Sequence, residues 1–139
     1  MRNRIVTAAI ALAVAVLGAC TPRPQTELAG TASVTVNGHD EKFQIVKCTQ
    51  VQWYRTIDIG GDISGAKVVV DERGQPIKAE SVQIRNSGGF TGMYSQGDGG
   101  DASLSLSGDR FTITGTAHGY RVDKPGEPAE ATFKITAAC

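Results

Sequence analysis

The sequence predicts an antiparallel all-β domain, either a β-sandwich or an open barrel of about eight short strands. The first observation is a series of short stretches in which apolar and polar residues alternate, as they do along half-buried strands. The second is that Gly, Asn, Asp and Ser separate these stretches. The third is a composition with 17 glycines and only 6% aromatic residues, which fits short strands and turns better than long helices.

The first half of the domain supplies about four of these strands. In "ASVTVNGHDEKFQIVKC", two apolar runs flank Asn37-Gly38 and predict a hairpin, although the polar residues that follow allow a longer loop. In "VQWYRTIDIGG", every second residue is apolar except Arg55, which leaves that face partly open. Trp53 and Tyr54 are adjacent, so in a strand one of them faces the core and the other faces solvent or a ligand.

The second half supplies the remaining strands. Alternating apolar residues occur in "IKAESVQIRN", "ASLSLSGDRFTITGTAHGY" and "ATFKITAAC". The stretch "GGFTGMYSQGDGGD" is rich in glycine and places Phe90 and Tyr94 among turn residues. The segment "DISGAKVVVDERG" lacks clean alternation, so a helical turn from Ser64 onward is an alternative to a strand there. We expect these elements to form one antiparallel β domain.

Residues 1–19 have the pattern of a secretory signal. Arg2 and Arg4 precede an uncharged apolar run over residues 5–17, and small residues follow it. This run is shorter than the roughly 20 apolar residues that a membrane-spanning helix needs, which makes a retained transmembrane anchor the less favoured alternative. We therefore expect residues 1–19 to be a lipoprotein signal peptide.

The end of this signal, "LGAC", resembles the lipobox of bacterial lipoproteins. The resemblance implies cleavage between Ala19 and Cys20 and attachment of a diacylglyceryl group to the Cys20 thiol, and the new amine is a site for a further acyl chain such as palmitate. Two long acyl chains are enough for stable anchoring. The expected partner of the mature chain is therefore a membrane, through covalent acyl chains on Cys20.

The mature chain begins with a tether and continues as the β domain. Residues 20–30, "CTPRPQTELAG", contain two prolines and little apolar surface, which predicts an extended segment. The β domain is expected over residues 31–139. The full chain has 14 basic and 14 acidic residues, and no basic cluster stands out, so nucleic acid is not an expected partner.

Two cysteines, Cys48 and Cys139, remain once Cys20 carries lipid. Export places them in an oxidising compartment, where disulfides persist, and two cysteines allow one intramolecular bridge. Free thiols and intermolecular pairing are the alternatives. A metal site is not expected, because His39 and His118 are the only histidines and lie far apart in the sequence.

No group of residues is typical of an enzyme, and no cofactor is expected. Neither His39 nor His118 lies in a catalytic motif, and we expect both in turns. Asp98 and Asp101 in "QGDGGD" are too few acidic ligands for a calcium loop, so a flexible hairpin loop is the simpler interpretation. No serine lies in a G-x-S-x-G context, and "GGDISGAK" lacks the spacing of a phosphate-binding loop.

A carrier or sensor of a hydrophobic envelope lipid is the alternative function. Trp53, Ile57 and Phe90 are the candidate lining of an apolar cavity between the layers. The simpler interpretation is that Trp53 fills the core, since a domain of this size has little room for a cavity. The two interpretations place Trp53 inside the domain, and they differ in whether a ligand contacts it.

Several stretches together resemble the mycobacterial lipoprotein antigen family of LpqH-like surface lipoproteins. They are "VTVNG", "IVKCT", "IDIGG", "DERGQPIKAESVQI", "GMYSQGDGGDASLSLSG", "FTITGTAHG" and "FKITAAC". The signal and the lipobox share the resemblance, and Cys48 and Cys139 fall where the family has its two domain cysteines. The short tether, with only Thr21, Thr26 and Thr31, departs from the long Ser/Thr-rich glycosylated tether of the best-known member.

The resemblance implies a lipid-anchored protein on the extracytoplasmic face of the cell membrane, within the cell envelope. The family is not known for enzymes, so the resemblance implies a surface antigen or interaction protein. It also implies that host Toll-like receptor 2 senses the acylated N-terminus. That property would belong to Cys20 and the residues next to it, not to the β domain.

Overall fold

Eleven strands make up the part of the protein that the computed structural model describes, which is Gly18 and residues 27–139. No helix able to cross a membrane occurs among these residues. The strands are β1 (Glu27–Ala29), β2 (Ala32–Val36), β3 (His39–Phe43), β4 (Val46–Val51), β5 (Tyr54–Gly60), β6 (Gly65–Asp71), β7 (Lys78–Ser87), β8 (Phe90–Ser95), β9 (Ala102–Ser107), β10 (Arg110–Arg121) and β11 (Lys124–Ala138).

All eleven strands belong to one antiparallel sheet that curls into a nearly closed barrel. The strand order is β1-β4-β5-β6-β7-β8-β10-β11-β2-β3, and β9 pairs with β10 next to the region where β8 pairs with it. The two halves of the sheet face each other, because the Arg55 guanidinium on β5 lies 5.5 Å from the centroid of the Phe111 ring on β10. The predicted antiparallel all-β fold is confirmed, with eleven strands instead of about eight.

Strand β6 occupies the segment for which a helical turn was an alternative. It pairs with β5 on one side and β7 on the other, so its backbone hydrogen bonds lie within the sheet. Val68 and Val70 are fully buried, and Val69 between them faces outward but remains half-buried. An apolar residue on the outer face hides the alternation in the sequence, and the helical alternative is wrong.

Strand β1 lies within the segment that was predicted to be tether. Glu27 pairs with Cys48 of β4, and Ala29 pairs with Val46. The fold therefore begins before Thr31. Because β1 runs antiparallel to β4, the chain enters the sheet from the side on which β4 ends, at Val51.

The hairpin between β2 and β3 has the two-residue loop that its Asn-Gly sequence favours. Val36 pairs with His39, and both Asn37 (φ 47°) and Gly38 (φ 83°) have the left-handed conformation that this turn requires. The Asn37 side-chain oxygen also accepts a hydrogen bond of 3.0 Å from the backbone N–H of Thr132 on β11. The turn is thus fixed to the neighbouring strand, and the longer loop is not formed.

The core lies inside the barrel and consists of the inward-facing residues of the strands. Ser87, with no exposed surface, is the buried polar residue of the described part. The largest fully buried side chains are Phe90, Ile57, Ile59, Ile84, Ile113, Ile135, Val34, Val36, Val46, Val68, Val70 and Val82. Removing such apolar side chains from water is the main favourable contribution to folding.

Candidate functional site

A disulfide joins the middle of β4 to the last residue of the chain. Cys48 and Cys139 are bonded, with a Cα–Cα distance of 6.0 Å and a sequence separation of 91. The Cys139 N–H also donates a hydrogen bond of 2.9 Å to the Asp109 carbonyl in the turn between β9 and β10. The predicted intramolecular bridge is confirmed. The predicted lipid site Cys20 and the cleavage site at Ala19 lie outside the described residues.

Trp53 lies in the two-residue turn between β4 and β5, beside the strand that carries Cys48. Its side chain is 61% exposed, and that of Val51 at the end of β4 is 63% exposed. Gln52 forms the rest of the turn and has a φ of 52°. We call residues 51–53 and the adjoining Glu72 and Arg73 the Trp53 end.

Hydrogen bonds from β4 and from the end of β6 hold this turn in place. The Glu72 N–H donates to the Trp53 carbonyl at 2.8 Å. The Gln50 side-chain amide donates to the Gln52 carbonyl at 3.0 Å and to the Glu72 carboxylate at 3.1 Å. The second oxygen of that carboxylate accepts a hydrogen bond of 2.8 Å from Arg55 Nε. The exposed side chains of Val51 and Trp53 therefore lie on a turn whose backbone is fixed by hydrogen bonds.

The structure does not bring the three predicted pocket residues together. Ile57 and Phe90 have no exposed surface and belong to the packed core, whereas Trp53 projects into solvent. The expectation that Trp53 fills the core or lines an inner cavity is wrong. The physical reason is the turn: Val51 pairs with Tyr54, so Trp53 lies outside the strand and does not follow its alternation.

Arg55, the residue that interrupts the apolar row, faces inward at one end of the barrel. Its side chain is bound to Glu72 and stacks on the Phe111 ring, and 30% of it is exposed. A guanidinium tolerates this position because its charge is paired and its flat face lies on an aromatic ring. The sequence predicted that the face of β5 with Arg55 would be partly open. In the structure the Arg55 side chain itself occupies that position.

The histidines and the loop aspartates lie at the surface. His118 Nδ1 is 3.3 Å from Glu130 Oε1 in an exposed cross-strand pair, and His39 is exposed at the start of β3. Asp98 and Asp101 are exposed in the glycine-rich loop between β8 and β9. Within residues 27–139, no three His, Cys, Asp or Glu side chains converge as metal ligands would.

Asp71, at the end of β6, forms a short ion pair with Arg73 of the Trp53 end. Arg73 Nη2 lies 2.6 Å from Asp71 Oδ2, and Arg73 Nε and N–H also donate to this carboxylate. The side-chain and backbone hydrogen bonds from Arg73 lower the pKa of Asp71 to about 2. The Arg73 guanidinium also lies 5.3 Å from the centroid of the Tyr54 ring.

A second apolar surface lies at the other end of the β4–β5 hairpin. Ile45 before β4 is 53% exposed, and Ile63 in the loop between β5 and β6 is 83% exposed. They line an open cleft of about 540 Å³ together with Phe43 and residues 60–62. We call Ile45 and residues 60–64 the Ile63 end. The sequence pattern placed Ile45 in the apolar run that follows Asn37-Gly38, whereas in the structure it is exposed; it did not single out Ile63, which belongs to no alternating row.

A comparison with protein families matches residues 25–139 to the model of the Mycobacterium 19 kDa lipoprotein antigen. A protein of Mycobacterium indicus pranii with a lipoprotein name is 63% identical over the full length of both chains. The lipoprotein LppE of Mycobacterium tuberculosis is 34% identical, also over the full length of both. The lipoprotein LpqH of Mycobacterium avium is 35% identical over 113 residues, which cover 80% of this chain and 69% of LpqH.

The family match and the structure cover the same part of the chain. The matched region begins two residues before β1 and ends at Cys139, so it includes every strand and both bonded cysteines. The relatives of similar length match from end to end, and the resemblance seen in the short sequence stretches is confirmed. The chain belongs to the Mycobacterium 19 kDa lipoprotein antigen family.

Proposed function

We propose that this protein is a lipid-anchored surface antigen of the cell envelope, held to the extracytoplasmic face of the membrane by acyl chains on Cys20. The β domain acts by display and interaction and has no enzymatic role. The observation that carries the proposal is the family match over residues 25–139, next to the lipobox-like sequence at residues 17–20. The names of the relatives, all lipoproteins, support the same assignment.

The second part of the proposal concerns recognition of the acylated N-terminus by a host receptor. We propose that Toll-like receptor 2 senses the acyl chains on Cys20 together with the first residues of the tether. The position of β1 fits this proposal, because the first described strand begins seven residues after Cys20. The receptor partner therefore depends on Cys20 and not on the β domain.

Intact mass spectrometry of the membrane-extracted protein tests the anchor. The wild-type chain is expected to start at Cys20 and to carry the added mass of acyl chains. Cys20→Ser is expected to lose this mass and to leave the membrane fraction. An intact Met1, or a mature chain with an unmodified Cys20, would contradict the proposal.

A receptor reporter assay tests the second part of the proposal. Purified wild-type protein is expected to activate cells that express Toll-like receptor 2, and Cys20→Ser is expected to be inactive. Ile63→Ser is the matched control, because it alters an exposed residue of the domain and leaves Cys20 intact. Equal activity of wild type and Cys20→Ser would show that the acyl chains are not what the receptor senses.

The carrier of a hydrophobic lipid has no specific observation in its favour. Its predicted cavity needed Trp53 beside Ile57 and Phe90, and the structure separates these residues. The open clefts lie on the outside of the barrel, and the larger of the polar ones includes Lys47, Asp58 and Arg85. We therefore propose the anchored antigen alone.

A further inference from the structure

We propose that the Trp53 end is a membrane-contact surface, at which Trp53 and Val51 lie in the interface of the bilayer that holds the lipid anchor. This inference depends on the proposed function, because it needs acyl chains on Cys20. It adds a second contact, made by the folded domain itself, and it fixes which end of the barrel faces the lipid.

The direction of β1 provides the first argument. Glu27 pairs with Cys48 and Ala29 with Val46, so the chain enters the sheet from the side of Val51 and runs toward Ile45. Glu27 thus lies level with Cys48, midway between Ile45 and Val51, and β1 traced backward from Glu27 points toward the Trp53 end. The Ile63 end lies at the opposite end of the β4–β5 hairpin.

The length of the connecting segment provides the second argument. Seven residue steps separate Cys20 from Glu27. A fully extended chain advances at most about 3.6 Å per residue, so Glu27 lies within about 25 Å of Cys20. A small domain on such a short connection stays next to the bilayer, and the direction of β1 at Glu27 turns the Trp53 end toward the connection.

The chemistry of the exposed side chains provides the third argument. The indole of Trp has a large apolar surface and one N–H donor, which favours the boundary between lipid headgroups and acyl chains. Val51 exposes a further apolar side chain next to it. Exposed apolar side chains that lie together mark contact surfaces.

The charged side chains around the turn at Trp53 are paired, so they do not disfavour contact of the Trp53 end with the bilayer. Glu72 is paired with Arg55 at 2.8 Å, and Asp71 is paired with Arg73 at 2.6 Å. These two carboxylates are thus each paired with a guanidinium. The Arg73 side chain, 57% exposed, lies at the surface where lipid phosphates would be met.

Trp53 is the only tryptophan of the chain, so its fluorescence reports this contact directly. Acylated protein is reconstituted into vesicles whose phospholipids carry bromine atoms near the headgroup end of the acyl chains. The expected result is a blue-shifted emission and strong quenching relative to vesicles without bromine. Cys20→Ser protein, mixed with the same vesicles, is expected to lose both effects.

The matched control moves the indole to the other end of the hairpin. In the double variant Trp53→Phe, Ile63→Trp the only tryptophan replaces a side chain that is 83% exposed, so the fold is expected to tolerate it. Its emission is expected to be unquenched in the acylated, reconstituted protein. Quenching of this double variant together with an unquenched wild type would assign the contact to the Ile63 end and overturn the proposal.

Two further measurements separate failure of this inference from failure of the proposed function. Mass spectrometry shows whether the chain is acylated, and flotation of the vesicles shows whether it is anchored. An acylated protein that floats with the vesicles but shows the Trp53 emission of the free protein overturns the membrane-contact surface and leaves the anchor intact. A chain without acyl mass overturns both.

Discussion

The two ends of the β4–β5 hairpin both expose apolar side chains, but they are built differently. The Trp53 end is a two-residue turn whose carbonyls accept hydrogen bonds from Glu72 and Gln50. The Ile63 end is a longer loop that begins with Gly60 and Gly61 and is joined to β7 by the Arg85 side chain. The Trp53 end exposes an aromatic residue on a short turn that hydrogen bonds hold in place. The Ile63 end exposes two isoleucines around an open cleft.

The difference shows that exposure alone does not identify a contact surface. Ile63 is more exposed than Trp53, yet β1 traced backward from Glu27 points toward the Trp53 end and away from the Ile63 end. The topology of the sheet therefore distinguishes the Trp53 end from the Ile63 end, although both expose apolar side chains.

The largest effect is expected from the disulfide, which holds β4 between the two ends. Replacing both Cys48 and Cys139 by serine removes a crosslink across 91 residues of sequence. The chain-entropy relation gives a loss of about 4 to 5 kcal/mol in the free energy of unfolding. Urea denaturation of the double variant measures it. An unchanged denaturation midpoint would show that the packing of β4 against the end of β11 does not need the bond.

A buried and an exposed residue of the predicted pocket should differ strongly in their effect on stability. Ile57→Ala removes a fully buried side chain and should lower the free energy of unfolding by about 2 to 5 kcal/mol. Trp53→Ala truncates an exposed side chain and should change it by about 0.5 kcal/mol or less. Thermal unfolding of the two variants tests this. Similar losses would mean that Trp53 packs inside the domain.

The fold class followed from the sequence because most strands have one buried and one exposed face. The alternation of β2 and of the second half of β11 survives in the structure as alternating burial. Strand β6 was ambiguous because Val69 places an apolar residue on the outer face. Strand β1 was missed because three residues are too few to show a period.

The Cys48–Cys139 bridge followed from counting cysteines, but the Trp53 end did not follow from any pattern. A two-residue turn at residues 52–53 interrupts the alternation, and the sequence there lacks the Asn-Gly signal that identified the β2–β3 turn. The odd-numbered row that is buried at Ile57 and Ile59 in β5, continued back through the turn, wrongly placed Val51 and Trp53 on the inner face. The entry side of the chain also depends on the pairing of β1 with β4, which sequence alone does not give.

Gly60→Ala is expected to disturb the Ile63 end and to leave the Trp53 end unchanged. Gly60 has a φ of 79°, and an added Cβ would lie 2.5 Å from the Ser64 carbonyl oxygen. Left-handed strain and this clash should together cost about 1 to 3 kcal/mol. Gly74→Ala is the matched control, since nothing lies within 4 Å of its added Cβ. Denaturation measures the loss, and an unshifted Trp53 emission shows that it is confined to the Ile63 end.

The smallest expected effect concerns the ion pair that neutralises the Trp53 end. Arg73 lowers the pKa of Asp71 from 3.8 to about 2, so the ionised carboxylate stabilises the fold above pH 4. This contribution is lost as the pH falls from about 4 to about 2. Asp71→Asn should therefore be less stable than the wild type at pH 7, with the difference fading over this range.

A double-mutant cycle with Arg73→Gln assigns the effect to the pair, because Asp71→Asn should then add little to the loss in the Arg73→Gln background. A difference between wild type and Asp71→Asn that persists at pH 2 would mean that the carboxylate acts through something other than its charge. Trp53 emission, recorded in the same titration, should stay constant, because the Glu72 N–H and the Gln50 amide hold the turn through groups that do not titrate. A shift in emission over this range that is absent from Asp71→Asn would instead make the Asp71–Arg73 pair part of the support of the turn.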